Sequence, residues 1–160
     1  LKELLIRTLT GISLIIVVTG SMLAGPVPFL GILLVIFGLG TRELFDLYSI
    51  RSGAPQLLMA LFAGMLLPAP FFVIQYDWSS LWFLIPVAGW IATLLLSRTP
   101  VASLMTMFWL AIPLGCFFSL GYLNGQGQYR HLLPMMVITL LWVNDTFAYL
   151  TGRILGRHPL

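Results

Sequence analysis

The chain has 160 residues, of which 59% are hydrophobic and 8% charged, with a mean hydropathy of +1.02. A soluble domain is about 45–50% apolar and about 25% charged, so a water-soluble core within a polar shell is excluded and lipid is the solvent for most of the chain. The net charge of +3 comes without a basic cluster, which excludes a nucleic-acid surface, and the lone Cys116 can form neither an intrachain disulfide nor a zinc site.

The chain opens on Leu1, so an initiator methionine or more is expected before it. Lys2 and Arg7 precede an apolar run over residues 8–24. This resembles a signal peptide, but the chain beyond is equally apolar, and a first transmembrane helix explains the same residues. No charge falls between Arg7 and Arg42, a stretch too long for one span and broken by "GPVP" at 25–28. A span needs about 20 apolar residues, so this stretch predicts a helical hairpin with spans near 8–24 and 28–47. The second span closes on "TRELFDLY", where Glu43 or Asp46 is expected to pair with an arginine at the interface.

A third span is predicted near 54–76, kinked by "PAP" at 68–70, and a fourth near 79–97. Trp78 and Trp82 fit an aromatic belt at its outer end. The fifth, near 101–121, carries Pro113 as an expected kink. "NGQGQYR" at 124–130 reads as a turn, and the sixth span lies near 132–150. The runs are too long, and alternate too little, for membrane barrel strands. The expected fold is therefore an all-α polytopic membrane protein of about six transmembrane helices, forming one membrane-embedded region over 1–160.

Charge gives the orientation. With six spans, Lys2, Arg7, Arg42, Arg51, Arg98, Arg153 and Arg157 fall on one side and only Arg130 on the other. If the broken third segment did not cross, Arg98, Arg153 and Arg157 would change sides and the bias would be lost. The positive-inside rule thus favours six spans with both chain ends cytoplasmic.

The candidate chemistry lies in "WVNDTFAYLTGR" at 142–153. On a helix, Asp145, Tyr149, Gly152 and Gly156 stand at i, i+4, i+7 and i+11 and share one face, flanked by Ala148 and Arg153. An acid inside a span is costly and faces a bundle interior or a watery cavity. Here it could hold Mg²⁺, whose natural ligands are oxygens. The glycines allow close approach by a helix or a ligand phosphate. Spacing alone leaves other readings open. Asp145 could form a structural salt bridge or a helix–helix hydrogen bond, the glycines could serve helix packing, and Arg153 and Arg157 could meet lipid headgroups. His131 and His158 have no partner spacing for a metal site.

"NDTFAYLTGRILGRHPL" resembles the middle motif of the phosphatidate cytidylyltransferases, or CDP-diacylglycerol synthases. That pattern is an Asp, then Ala-Tyr, then Gly-Arg or Gly-Lys, then a second Gly, matched here by Asp145, Ala148, Tyr149, Gly152, Arg153 and Gly156. Phe147 stands where the family usually has a small residue. "LKELLIRTLTG" and "RELFDLY" also resemble the family's N-terminal region. Family members continue into a Ser-Pro-Lys-Lys loop and a further aspartate-bearing signature. This chain ends before both, so it is expected to be the N-terminal part of such an enzyme, without the full active site.

The resemblance implies transfer of cytidylyl from CTP to phosphatidate, with Mg²⁺ or another divalent cation as cofactor. It implies Asp145 as catalytic and metal-binding, Tyr149 as catalytic, and Asn144, Gly152, Arg153 and Gly156 as substrate- or phosphate-binding. CTP, phosphatidate and membrane lipid are the expected partners, a homodimer stays open, and nucleic acid is not expected. The bacterial cytoplasmic membrane is the expected location. Three rivals stand beside this reading: a CTP-dependent polyprenol or phytol kinase, a transporter or channel fragment with Asp145 as its ion site, and a structural scaffold in which Asp145 only bridges helices. The scarcity of other intramembrane charges argues against the transporter.

Overall fold

The computed structural model describes residues 2–48, 53–97, 100–123 and 127–155; for residues 2–5, 7, 8 and 153–155 it describes the backbone alone. Every regular element among them is helical. The elements are α1 (Lys2–Ala24), α2 (Pro26–Leu47), α3 (Ala54–Gly64), α4 (Ala69–Gln75), a 3₁₀ turn (Ser80–Phe83), α5 (Leu84–Leu96), α6 (Pro100–Met105), a π turn (Thr106–Ala111), α7 (Ile112–Ser119), a second 3₁₀ turn (Leu120–Tyr122) and α8 (Leu132–Leu155).

Among the described residues, four stretches are long and apolar enough to cross a membrane: Pro26–Leu47, Ala54–Gln75, Pro100–Tyr122 and Leu132–Gly152. They mark an integral membrane protein. The stretches expected as first and fourth spans contain shorter apolar helices, Leu9–Ala24 and Ser80–Leu96.

The hairpin expected at "GPVP" is present. α1 stops at Gly25, whose φ of 124° is costly for any side chain. Pro26 then occupies the first turn of α2, where a missing N–H costs nothing. Hydroxyls within α1 turn back on their own helix: Ser13 donates to the Leu9 carbonyl at 2.7 Å and Thr19 to that of Ile15 at 2.6 Å. Such bonds satisfy a polar group where no water is at hand.

α2 is the central helix. Phe29, Leu33, Phe37, Thr41 and Phe45 recur every four residues along it and are all buried. Against this row pack α1, α3, α6, the π turn and α7. α3 also lies against α5, and they meet closely because Gly89 has no side chain. A Cβ there would come within 2.7 Å of the Phe62 ring.

Two predicted breaks have visible causes. The segment expected as one span over 54–76 consists of α3 and α4 joined by a turn at residues 65–68, just before Pro70 of "PAP". The expected kink at Pro113 takes the form of the π turn immediately before it. Pro113 has no N–H to offer a carbonyl four residues back and its ring crowds that carbonyl, so the preceding turn widens.

One end of the bundle is closed by aromatic rings. Phe29 meets Phe117 edge-on, with centroids 5.5 Å apart, and Tyr129 lies 5.7 Å from Tyr122. The Tyr129 hydroxyl donates to the Met22 carbonyl at 3.4 Å, and the Arg130 N–H donates to the Gly121 carbonyl at 2.8 Å. Gly121 is required here, because a Cβ would collide with the Tyr129 ring. This plug fixes the point from which α8 starts.

Candidate functional site

α8 leaves the plug at Leu132 and runs unbroken to Leu155. At about 1.5 Å per residue, Asp145 stands about 20 Å along it and Gly152 about 30 Å. α2 meets the plug at Phe29, in its first turn, so Arg42 lies a similar distance from the plug along its own helix.

One seam runs the length of α8: Met135, Ile138, Trp142, Asp145, Tyr149 and Gly152, at alternating steps of three and four. This is the spacing of a helix face that packs on other helices. Its first part does so. Met135 and Ile138 pack against the core and Pro134 is fully buried, with α1 and the Leu120–Tyr122 turn as main neighbours. Trp142 is half-buried. Beyond it Asn144, Asp145, Tyr149 and Gly152 are all exposed.

The structure therefore keeps Asp145, Tyr149 and Gly152 on one face, as their spacing predicts. Neighbours four apart on a helix have Cβ atoms about 5–6 Å from each other. A Cβ on Gly152 would meet nothing within 4 Å, so its backbone is open to approach. Asn144 is exposed one residue aside from the seam. The nearby hydroxyls are occupied within the helix: Thr146 donates to the Trp142 carbonyl and Thr151 to the Phe147 carbonyl, each at 2.8 Å. This leaves the Asp145 carboxylate, the Asn144 amide and the Tyr149 hydroxyl as the polar groups that reach outward. Arg153 has helical backbone, and its side chain lies outside the described residues, as do Gly156, Arg157 and His158.

No group of three or more His, Cys, Asp or Glu that could hold a metal occurs among the described residues. Asp145 offers one exposed carboxylate. Mg²⁺ is commonly held by one or two carboxylates, with substrate phosphates and waters completing its shell. Asp145 fits that role and not that of a dedicated protein cage.

The chain matches the cytidylyltransferase family over residues 5–160. It belongs to that family. The match covers the apolar helices as well as the Asp145 motif, in agreement with the resemblance read from "NDTFAYLTGRILGRHPL" and the two N-terminal stretches. As a cytidylyltransferase-family protein it is a nucleotidyltransferase with CTP as a substrate. No curated protein and no solved structure gives a significant match.

Sequence reasoning missed one feature. A groove of about 900 Å³ lies between α2 and α3, lined by Phe37, Gly38, Thr41, Arg42 and Asp46 from one helix and by Leu57, Leu61 and Gly64 from the other, among others. The only signals in the sequence were Gly38 and Gly64 within apolar helices, and small residues of that kind equally suggest close helix packing.

Proposed function

We propose that the protein transfers cytidylyl from CTP to phosphatidate, giving CDP-diacylglycerol and pyrophosphate for phospholipid synthesis in the bacterial cytoplasmic membrane. The observation that carries this reading is the Asp145–Tyr149–Gly152 face, polar and uncovered on an otherwise apolar helix, in a chain of the cytidylyltransferase family.

In the reaction a phosphate oxygen of phosphatidate attacks the α-phosphorus of CTP. The bond from that phosphorus to the bridging β-oxygen breaks, and its electron pair leaves with pyrophosphate. Two anions must meet, so cationic groups are needed where they do. Arg153 contacts a phosphate at the end of α8. The bare backbone at Gly152 and Gly156 lets phosphate approach the helix, and the Asn144 amide donates to a substrate oxygen. Tyr149, one turn from Asp145, orients the carboxylate or a lipid headgroup. Asp145 holds Mg²⁺ directly or through water, and when bound that ion neutralises charge on the phosphates.

Topology supports the reading. The topology expected from the charge bias, six spans with both ends cytoplasmic, would put Asp145 at the cytoplasmic mouth, within reach of CTP in solution and phosphatidate in the leaflet. In that arrangement α2 and α8 run in the same direction, consistent with both starting beside one aromatic plug.

Double labelling tests the proposal. Membranes containing the full-length protein are incubated with CTP labelled in the cytosine ring or at the γ-phosphate, and the lipids are separated. Ring label entering lipid in a phosphatidate-dependent way is the expected result. Entry of γ-label instead would establish the polyprenol- or phytol-kinase chemistry and overturn the cytidylyl transfer.

A further inference from the structure

The α2–α3 groove holds a combination that close packing does not explain. Its walls are apolar along most of their length: Leu34, Phe37 and Gly38 on α2 face Leu61, Gly64 and Met65 on α3. At the end nearest the α2–α3 connection they give way to Thr41, Arg42 and Asp46. Thr41 is 5% exposed, and its hydroxyl has no hydrogen-bond partner among the described residues. Other threonines in these helices behave differently: Thr19, Thr106, Thr146 and Thr151 each donate to a carbonyl of their own helix one turn back. A buried hydroxyl left unpaired has given up its water without replacement and is destabilising. A ligand acceptor lying in the groove would remove that cost.

The rim carries both signs of charge. Arg42 and Asp46 are one helical turn apart, so their Cβ atoms are about 5–6 Å from each other. Both line the groove and both are exposed. A purely anionic headgroup would suit Arg42 and be repelled by Asp46. A phosphate joined to a primary ammonium by an ethylene link suits both. The depth also fits a lipid. From Arg42 to Leu34 the groove runs about 12 Å along α2 at about 1.5 Å per residue, and Leu57, Leu61 and Met65, which line it, are exposed.

We propose that the α2–α3 groove binds one phospholipid whose headgroup carries a phosphate and a primary ammonium. One acyl chain lies along Phe37, Gly38 and Gly64. The Thr41 hydroxyl donates to a glycerol ester carbonyl, the Arg42 guanidinium holds the phosphate, and the Asp46 carboxylate accepts from the ammonium. This site is separate from the α8 face and does not depend on the reaction assigned to it.

The test is native mass spectrometry of the full-length protein released by mild detergent from vesicles of equal parts phosphatidylethanolamine and phosphatidylglycerol. Both lipids carry a phosphate, and only the first carries an ammonium. The expected result is retention of the ethanolamine lipid in about tenfold excess, the factor given by one well-placed charged contact. Gly38→Leu is expected to empty the groove, since a Cβ there meets nothing within 4 Å and the added chain enters the acyl path. Asp46→Asn is expected to bring the two lipids to equal retention. Thr41→Val is expected to lower retention of both about fivefold, as loss of a neutral hydrogen bond does. Glu43→Gln, on a residue that lines a different cavity, is expected to change nothing. Equal retention of the two lipids by the unaltered protein would overturn the proposal, as would undiminished lipid on Gly38→Leu. If Gly38→Leu does not fold, the headgroup ratio on Asp46→Asn decides: a preference for ethanolamine equal to that of the unaltered protein would overturn it.

Discussion

The two halves of α8 share one sequence register and one helix, yet they differ in what surrounds them. At Met135 and Ile138 the seam is apolar and lies on the core, with Pro134 beside it fully buried. From Asp145 onward the same seam carries a carboxylate, a phenol and a glycine, and all three are exposed. Within a single helix, the part that packs on the bundle is apolar, and the part that carries polar groups is exposed. Asp145 stands about 20 Å along the helix from the plug, free of packing and so open to the ligand role proposed for it.

Mutations on the two sides of this divide are expected to have opposite signatures. The largest effect is at Asp145. In purified full-length enzyme, Asp145→Asn is expected to lower CTP-dependent turnover about a thousandfold or more, the scale of losing a charge at a phosphoryl centre. The thermal midpoint should stay unchanged, because the carboxylate is exposed; near-normal turnover would sink its metal role. Phe29→Ala attacks the other side. Phe29 is 0% exposed and touches Phe117, Phe118 and Tyr129, so the cavity is expected to cost about 3 kcal/mol of stability. Thermal unfolding should show a lower midpoint, while activity per folded molecule is retained.

Smaller effects sharpen the boundary. Arg153→Gln is expected to raise KM for CTP about tenfold, the value of one charge-assisted phosphate contact, with little change in helicity by circular dichroism. Gly152→Leu should raise the same KM without unfolding, since the space beside Gly152 is open. A fall in stability for either would show that this end of α8 is packed after all.

The smallest effect is at the plug and appears only in alkali. Burial, then the neighbouring Tyr122, push the Tyr129 phenol from 10.0 up to about 12. Between those values the unfolded chain has lost the proton that the folded chain retains, so stability falls as pH rises through that window and is fully present below about 10. Tyr129→Phe has nothing to ionise. Its loss of helicity with pH is expected to be shallower over the same window, although it also forfeits the bond to the Met22 carbonyl.

Much of the architecture was legible from residue order. The hairpin at "GPVP", the break at "PAP", the disturbance at Pro113 and the alignment of Asp145 with Tyr149 and Gly152 follow from local chemistry: a glycine free to take positive φ, prolines without N–H, and the helical repeat. The widened form of the Pro113 disturbance was not legible, because a π turn and a simple kink relieve the same crowding and neighbouring helices select between them. Nor was the bare surroundings of Asp145 legible. Spacing put it on a face, but a packed Asp paired with another helix has the same spacing.

Composition alone determined that the protein lives in lipid, because a chain with 8% charged residues cannot cover itself for water. Local sequence determined where the helices start and break, and which residues share a face with Asp145. The tertiary structure alone decided that α2 is the central helix, that the α8 seam packs on the core at Met135 and Ile138 and is bare from Asp145 onward, and that Thr41 has no partner among the described residues in a groove between α2 and α3. The physical reason is that helical periodicity is a property of one segment, whereas burial and cavities belong to pairs of segments whose packing is set by side chains far apart in the chain.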